Sequence, residues 1–183
     1  MQIGMSAWIV QDGNYPDFTV GQRTRFALEF YAESIRSSPA AIRSFAGVQP
    51  ARYNASGIIT YATEEAWVVD FGILAFSESK PPSIATVGAS VSGEFSIGID
   101  PFFYFERLCK IPGFPELRYD WRVDSILLET TPWLSTRDAT GRKVLCRDDS
   151  RTSYREVDKT DAWHDDDGNG NYVLNCTRIE TPR

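Results

Sequence analysis

Residues 119–129 read Tyr119-Asp120-Trp121-Arg122-Val123-Asp124-Ser125-Ile126-Leu127-Leu128-Glu129. Aromatic and branched apolar side chains dominate the stretch, and it holds neither Gly nor Pro, so it reads as a β-strand. Trp121 and Asp124 stand three apart, a spacing that sends them to opposite faces of a strand, Trp toward a core and Asp toward solvent. The same spacing recurs at Trp67/Asp70 and at Trp163/Asp166. A repeated β-rich unit is one explanation of that recurrence.

Outward from this stretch the chain continues in the same vein. Strand-like segments are Met5 to Val10, Gln22 to Phe30, Gly57 to Tyr61, Ala66 to Phe76, Ile84 to Ile99, Lys143 to Arg147, Ser153 to Val157 and Asn171 to Ile179. Clusters of Gly, Pro, Asn, Asp and Ser separate them, as at Asp12–Asp17, Ser79–Ser83, Asp138–Gly141 and Asp165–Asn171; these are the residues that turns favour. Many short strands with frequent turns predict a mainly β protein, a barrel or a sandwich-like fold. Two short helices are also expected. One opens at Ser38-Pro39 and presents Ile42, Phe45 and Ala46 before Gly47; the other opens at Asp100-Pro101 and carries Phe102, Phe105 and Cys109 before Pro112 and Gly113. Pro81-Pro82 would join two β-rich halves, 1–80 and 84–183, unless the 183 residues form one domain.

Composition narrows the function classes. With 42% hydrophobic residues and 3 Cys the chain is neither disordered nor a disulfide scaffold. Cys109, Cys146 and Cys176 lack metal-ligand spacing and read as reduced thiols. No basic and apolar leader opens the sequence, and apolar runs such as Ile99–Phe105 fall far short of the roughly 18 residues of a membrane helix. A cytoplasmic protein outside the membrane is the expectation. The net charge of -6 repels polyanions, which argues against nucleic acid as a partner and for a basic protein. Acids concentrate between Asp148 and Asp167.

No nucleophile elbow, phosphate-cradling glycine loop or paired metal-binding motif occurs in the sequence. His164, the one histidine, could act with Asp161 and with Cys146 or Cys176, but nothing around them supports nucleophilic catalysis. Asp165, Asp167 and Asn169, followed by Gly170, match the first half of a calcium loop; the twelfth position is Cys176 where a bidentate Glu belongs. No cofactor is expected, calcium being the one ion this pattern could take. Tyr15 and Phe18, on a loop of Gly, Asn and Pro, and the run Phe102-Phe103-Tyr104-Phe105 could form a stacking platform. Contact residues are therefore sought at Tyr15, Phe18, Phe103, Tyr104, Asp161 and His164. Two functions compete. One is a noncatalytic intracellular binding protein acting on a basic protein, as an inhibitor or immunity-type partner does; the other is a small barrel that binds a small molecule, sugar or oligonucleotide on an aromatic face.

Overall fold

The computed structural model describes residues 1–38 and 43–180. In chain order the elements are β1 (Gln2–Ser6), α1 (Trp8–Gln11), β2 (Arg23–Phe26), β3 (Leu28–Ser37), β4 (Ser44–Gln49), β5 (Arg52–Ala62), β6 (Trp67–Asp70), β7 (Leu74–Ser77), β8 (Ser90–Ile99), α2 (Phe103–Glu106), β9 (Tyr119–Glu129), β10 (Trp133–Arg137), β11 (Lys143–Arg147), β12 (Tyr154–Val157) and β13 (Asn171–Ile179). The fold is mainly β, as the sequence predicts, with helix confined to single turns. No helix of the described residues is long and apolar enough to cross a membrane.

Five strands close a barrel in the order β3-β8-β5-β6-β7 and back to β3, every pairing antiparallel except β3 with β7. Closure removes free edges and encloses side chains of alternate residues. Phe30, Trp67, Phe71 and Phe95 meet there at ring-centroid distances of 4.7 to 6.1 Å, mostly edge to face. Two glycines permit the close approach of wall strands. A Cβ at Gly93 would lie 2.1 Å from the Ser34 carbonyl oxygen, opposite the irregularity between Ala32 and Ser34, and one at Gly57 would lie 2.7 Å from the Asp70 carbonyl oxygen.

A wing extends the same sheet. β1 lies between β8, to which it runs parallel with Gly4 beside Gly98, and antiparallel β13; β9 follows, carrying β2 and β12 end to end on its far side. The Tyr53 hydroxyl of β5 clamps β1 by accepting from the Gln2 amide (2.7 Å) and donating to the Gln2 carbonyl (2.8 Å). Strands from 1–80 and 84–183 share one sheet and interleave at its centre, where β1 sits between β13 and β8 and β8 pairs with β3 and β5; Pro81-Pro82 lies in the connection between β7 and β8. Phe18, Phe26 and Trp121 pack between wing and barrel, the last two stacked at 5.5 Å. A second cluster explains why β6 is buried on both faces: α2 and the turn Leu108–Lys110 lay Tyr104 and Leu108 over Val68 and Phe76.

Several local expectations are corrected. Met5 to Val10 is not one strand, because the ladder ends at Ser6, the Ala7 amide turns to the Gly170 carbonyl, and residues 8–11 coil so that Ile9 and Val10 face inward. The helix expected from Ser38 fails over its second half: residues 44–49 pair with β5, and Phe45 stacks on Tyr53 at 4.0 Å. Pairing along a neighbour outweighs the local capping signal. Its first half, 39–42, lies outside the described residues. The third Trp/Asp pair is not a strand unit, since Trp163 is 62% exposed and Asp166 sits at φ 51° in a turn.

β10 and β11 pair only with each other and form an exposed arm. Arg147 ties its base to the body. Its guanidinium lies 3.9 Å over the Trp133 ring, donates to the Thr131 carbonyl (2.7 Å) and pairs with Asp166 (2.6 Å), whose carboxylate also accepts from the Trp133 indole (3.0 Å). Arg147→Ala is expected to lower stability by about 2 kcal/mol, because it strips a mostly buried ion pair of one member. Hydrogen exchange over residues 133–147 should rise more than the global change accounts for; uniform protection in the variant would show that Arg147 does not hold the arm.

Candidate functional site

A cleft of about 310 Å3 lies on the outside of the barrel, where β1 crosses β8. Its floor is Gly4 and Gly98, and a Cβ on either would approach only to ordinary contact distance, 3.4 to 3.6 Å, so the missing side chains leave depth without straining the backbone. Glu29 stands beside them, because β3 pairs Glu29 with Gly98 and Tyr31 with Ser96. Leu28 and Phe30 on the alternate face point into apolar packing. The two-residue period of a strand therefore sends Glu29 and Tyr31 out of the barrel together.

Glu29 is 4% exposed. Among the described residues no Arg or Lys lies within ion-pair distance of it, and its hydrogen-bond partner is the Tyr31 hydroxyl. Burial, with the nearby charge of Asp100 added, pushes its carboxyl up to about 7 against the Tyr31 hydrogen bond. Tyr31 is raised to about 12, chiefly by desolvation and by Glu29 itself. Asp100 is also buried and raised by desolvation, but it accepts from the amides of Tyr104 (3.2 Å) and Phe105 (3.4 Å) at the start of α2 and so has a structural task.

The facing wall repeats the pairing of a carboxylate with a tyrosine. Glu129 and Tyr154 are cross-strand neighbours of β9 and β12, and Tyr154 is raised by desolvation and by Glu129. Ser6 donates to Asn171 (2.9 Å), Asn171 donates to Glu129 (3.1 Å), and Arg147 approaches Glu129 at 4.0 Å. Glu129 is thus partly compensated, whereas Glu29 is not. Trp8 of α1, 47% exposed, stands at the mouth, and Arg52 on the rim is paired with Glu94 at 3.3 Å.

The residues singled out from sequence are distributed differently. Phe18 is fully buried, and Tyr104 is a core residue whose hydroxyl donates to the Pro115 carbonyl and accepts from the Leu117 amide. Tyr15 packs on Phe18 and donates to the Asp100 carbonyl (2.9 Å), while Phe103 is half-buried against Phe102. Tyr15, Phe102, Tyr104 and Phe105 do share a smaller hollow of about 170 Å3 with Arg25 and Arg118. Asp161 and His164 are joined, Nδ1 to Oδ1 at 2.8 Å, on open surface, and the His164 ring holds the Asp161 carboxyl below its usual range. Cys176 is buried with its thiol pushed up to about 12 by desolvation, the opposite of what a nucleophile requires.

Asp165 and Asn169 of the calcium-loop pattern have hydrogen-bond partners within the fold. Asp165 accepts from the Tyr172 hydroxyl (2.8 Å) and the Asp161 amide (3.1 Å), and Asn169 donates to the carbonyls of Asp166 and Asp167. Among the described residues no group of three His, Cys, Asp or Glu side chains is placed to hold a metal ion.

The cleft residues themselves escaped the sequence reading. One signal was available: Glu29 is a lone carboxylate within the apolar run Phe26-Ala27-Leu28-Glu29-Phe30. Compared with known proteins, the chain matches no family model, no curated protein and no solved structure.

Proposed function

We propose that the protein is a noncatalytic binding protein that holds a small ligand in the β1/β8 cleft. The observation that carries the reading is Glu29, a nearly inaccessible carboxylate without a cation beside it, placed at the floor of a cleft with aromatic residues at its mouth. Leaving such a group desolvated is costly unless a ligand completes its hydrogen bonding, and a cleft of this volume falls at the lower end of the range of small-molecule sites. Three unpaired thiols, two of them exposed, support action in a reducing compartment such as the cytoplasm.

A fragment panel followed by amide chemical shifts tests the reading. Compounds that bind should move the resonances of Trp8, Tyr31 and Gly98 together, and Gly98→Val, which fills the floor, should abolish the response while the rest of the spectrum is kept. A panel that leaves these three signals still would overturn it. The net charge of -6 favours a second reading, in which the cleft accepts a basic side chain of a protein partner, as in an inhibitor or immunity-type complex. That reading predicts salt-sensitive capture of a basic protein that Gly98→Val abolishes.

A further inference from the structure

We infer that the cleft is selective for an organic ammonium ion, held between the Glu29/Tyr31 and Glu129/Tyr154 pairs and covered by Trp8. The inference rests on the cleft being a ligand site and goes further by naming the class of ligand. Two carboxylates and four aromatic residues (Trp8, Tyr31, Tyr154 and Tyr172) line the cleft, and of the cationic groups around it Arg147 already serves Asp166 and the Thr131 carbonyl while Arg52 is paired with Glu94 on the rim. A neutral ligand would leave Glu29 uncompensated, and an anion would meet two carboxylates in a desolvated space. An ammonium ion supplies the missing charge to Glu29 and meets tyrosine and tryptophan rings, whose faces attract cations most strongly when water is excluded. Tyr31 is 60% exposed and Trp8 47% exposed, so the rings that would close over such a ligand are not engaged in the core.

Choline and its uncharged isostere 3,3-dimethylbutan-1-ol separate charge from shape. Titration at pH 8 on the full chain, followed by calorimetry and by the Trp8 indole resonance, should give choline a Kd near or below about 1 mM and an affinity at least about tenfold above that of the isostere. Glu29→Gln should erase that preference, and Tyr31→Leu, at an exposed position where folding is not at stake, should reduce it severalfold. Equal binding of the two probes, or a preference that survives Glu29→Gln, would overturn the ammonium inference while leaving the cleft as a ligand site. If neither probe nor any panel compound moves the cleft resonances, the site itself is wrong and the inference falls with it.

Discussion

Gly93→Ala is expected to destabilise the protein by about 4 kcal/mol or more, enough to leave much of it unfolded or aggregated on expression. The added methyl would sit 2.1 Å from the Ser34 carbonyl oxygen and 3.2 Å from its carbon, both backbone atoms of the facing strand. A side chain can rotate away from an intruder; a paired strand in a closed barrel cannot move without loosening its other pairings. Gly57→Ala should cost less, because two of its three close neighbours are side-chain atoms of Val69 and Phe71, although the Asp70 carbonyl oxygen at 2.7 Å still blocks it. Gly4→Ala, at the cleft floor with ordinary contact distances, serves as the control and should stay near wild type. Denaturant midpoints for the three variants check the order, and a Gly93→Ala protein as stable as Gly4→Ala would refute the tight barrel wall.

The second large effect is a dependence on pH that originates at Glu29. Its carboxyl has an ordinary value of 4.5 and is raised to about 7 in the fold by burial. Between those two values the folded state holds a proton that the unfolded state has released, so stability falls as pH rises through this window and the full cost of an ionised, buried Glu29 is present above it. At about 1.4 kcal/mol per pH unit between the two titrations, that cost is about 3 kcal/mol at pH 8. Glu29→Gln should therefore be about 3 kcal/mol more stable than the wild type at pH 8 and nearly equal to it at pH 4. Asp100, raised in the same direction by its own burial, is present in both proteins. Parallel pH profiles of the two proteins in denaturant titrations would show that Glu29 is not the buried charge described. The same substitution removes the preference for an ammonium ion, so stability gained and binding lost in one variant would mark Glu29 as a group kept for function.

Much of the strand pattern was legible. β9, β11 and β13 coincide with the segments read from composition, because each is a run of branched and aromatic residues cut off by Pro, Gly or acidic turns at its ends. The helix expected from Asp100-Pro101 through Cys109 is reduced to the single turn α2, which starts later, at Phe103, and is followed by a separate turn at Leu108–Lys110, although the Asp100 carboxylate does accept from the Tyr104 amide in its first turn. Segments without that composition were missed or misread. β4, Ser44–Gln49, is strand only because β5 lies beside it, and β10 holds Trp133 and Leu134 among polar residues. Within the run 102–105, Tyr104 is buried over Val68 and Phe76 while Phe105 is 61% exposed, a division that ring density cannot foretell because it is the same whether rings stack on a ligand or on a core.

Local chemistry alone settled the β character of this chain, the places where it turns, and the absence of familiar catalytic motifs, because these depend on residue type and on period along a few neighbours. The cleft does not have that origin. Gly4, Glu29, Gly98, Glu129 and Tyr154 are scattered over 150 positions and acquire a common meaning only when β1 runs parallel to β8 and β12 pairs with β9. A carboxylate in a strand is ordinary on either face until the partner strands establish which face is dry, and here the closure of the barrel and the crossing of β1 turned Glu29 from one of 25 acids into the buried charge at the centre of the site.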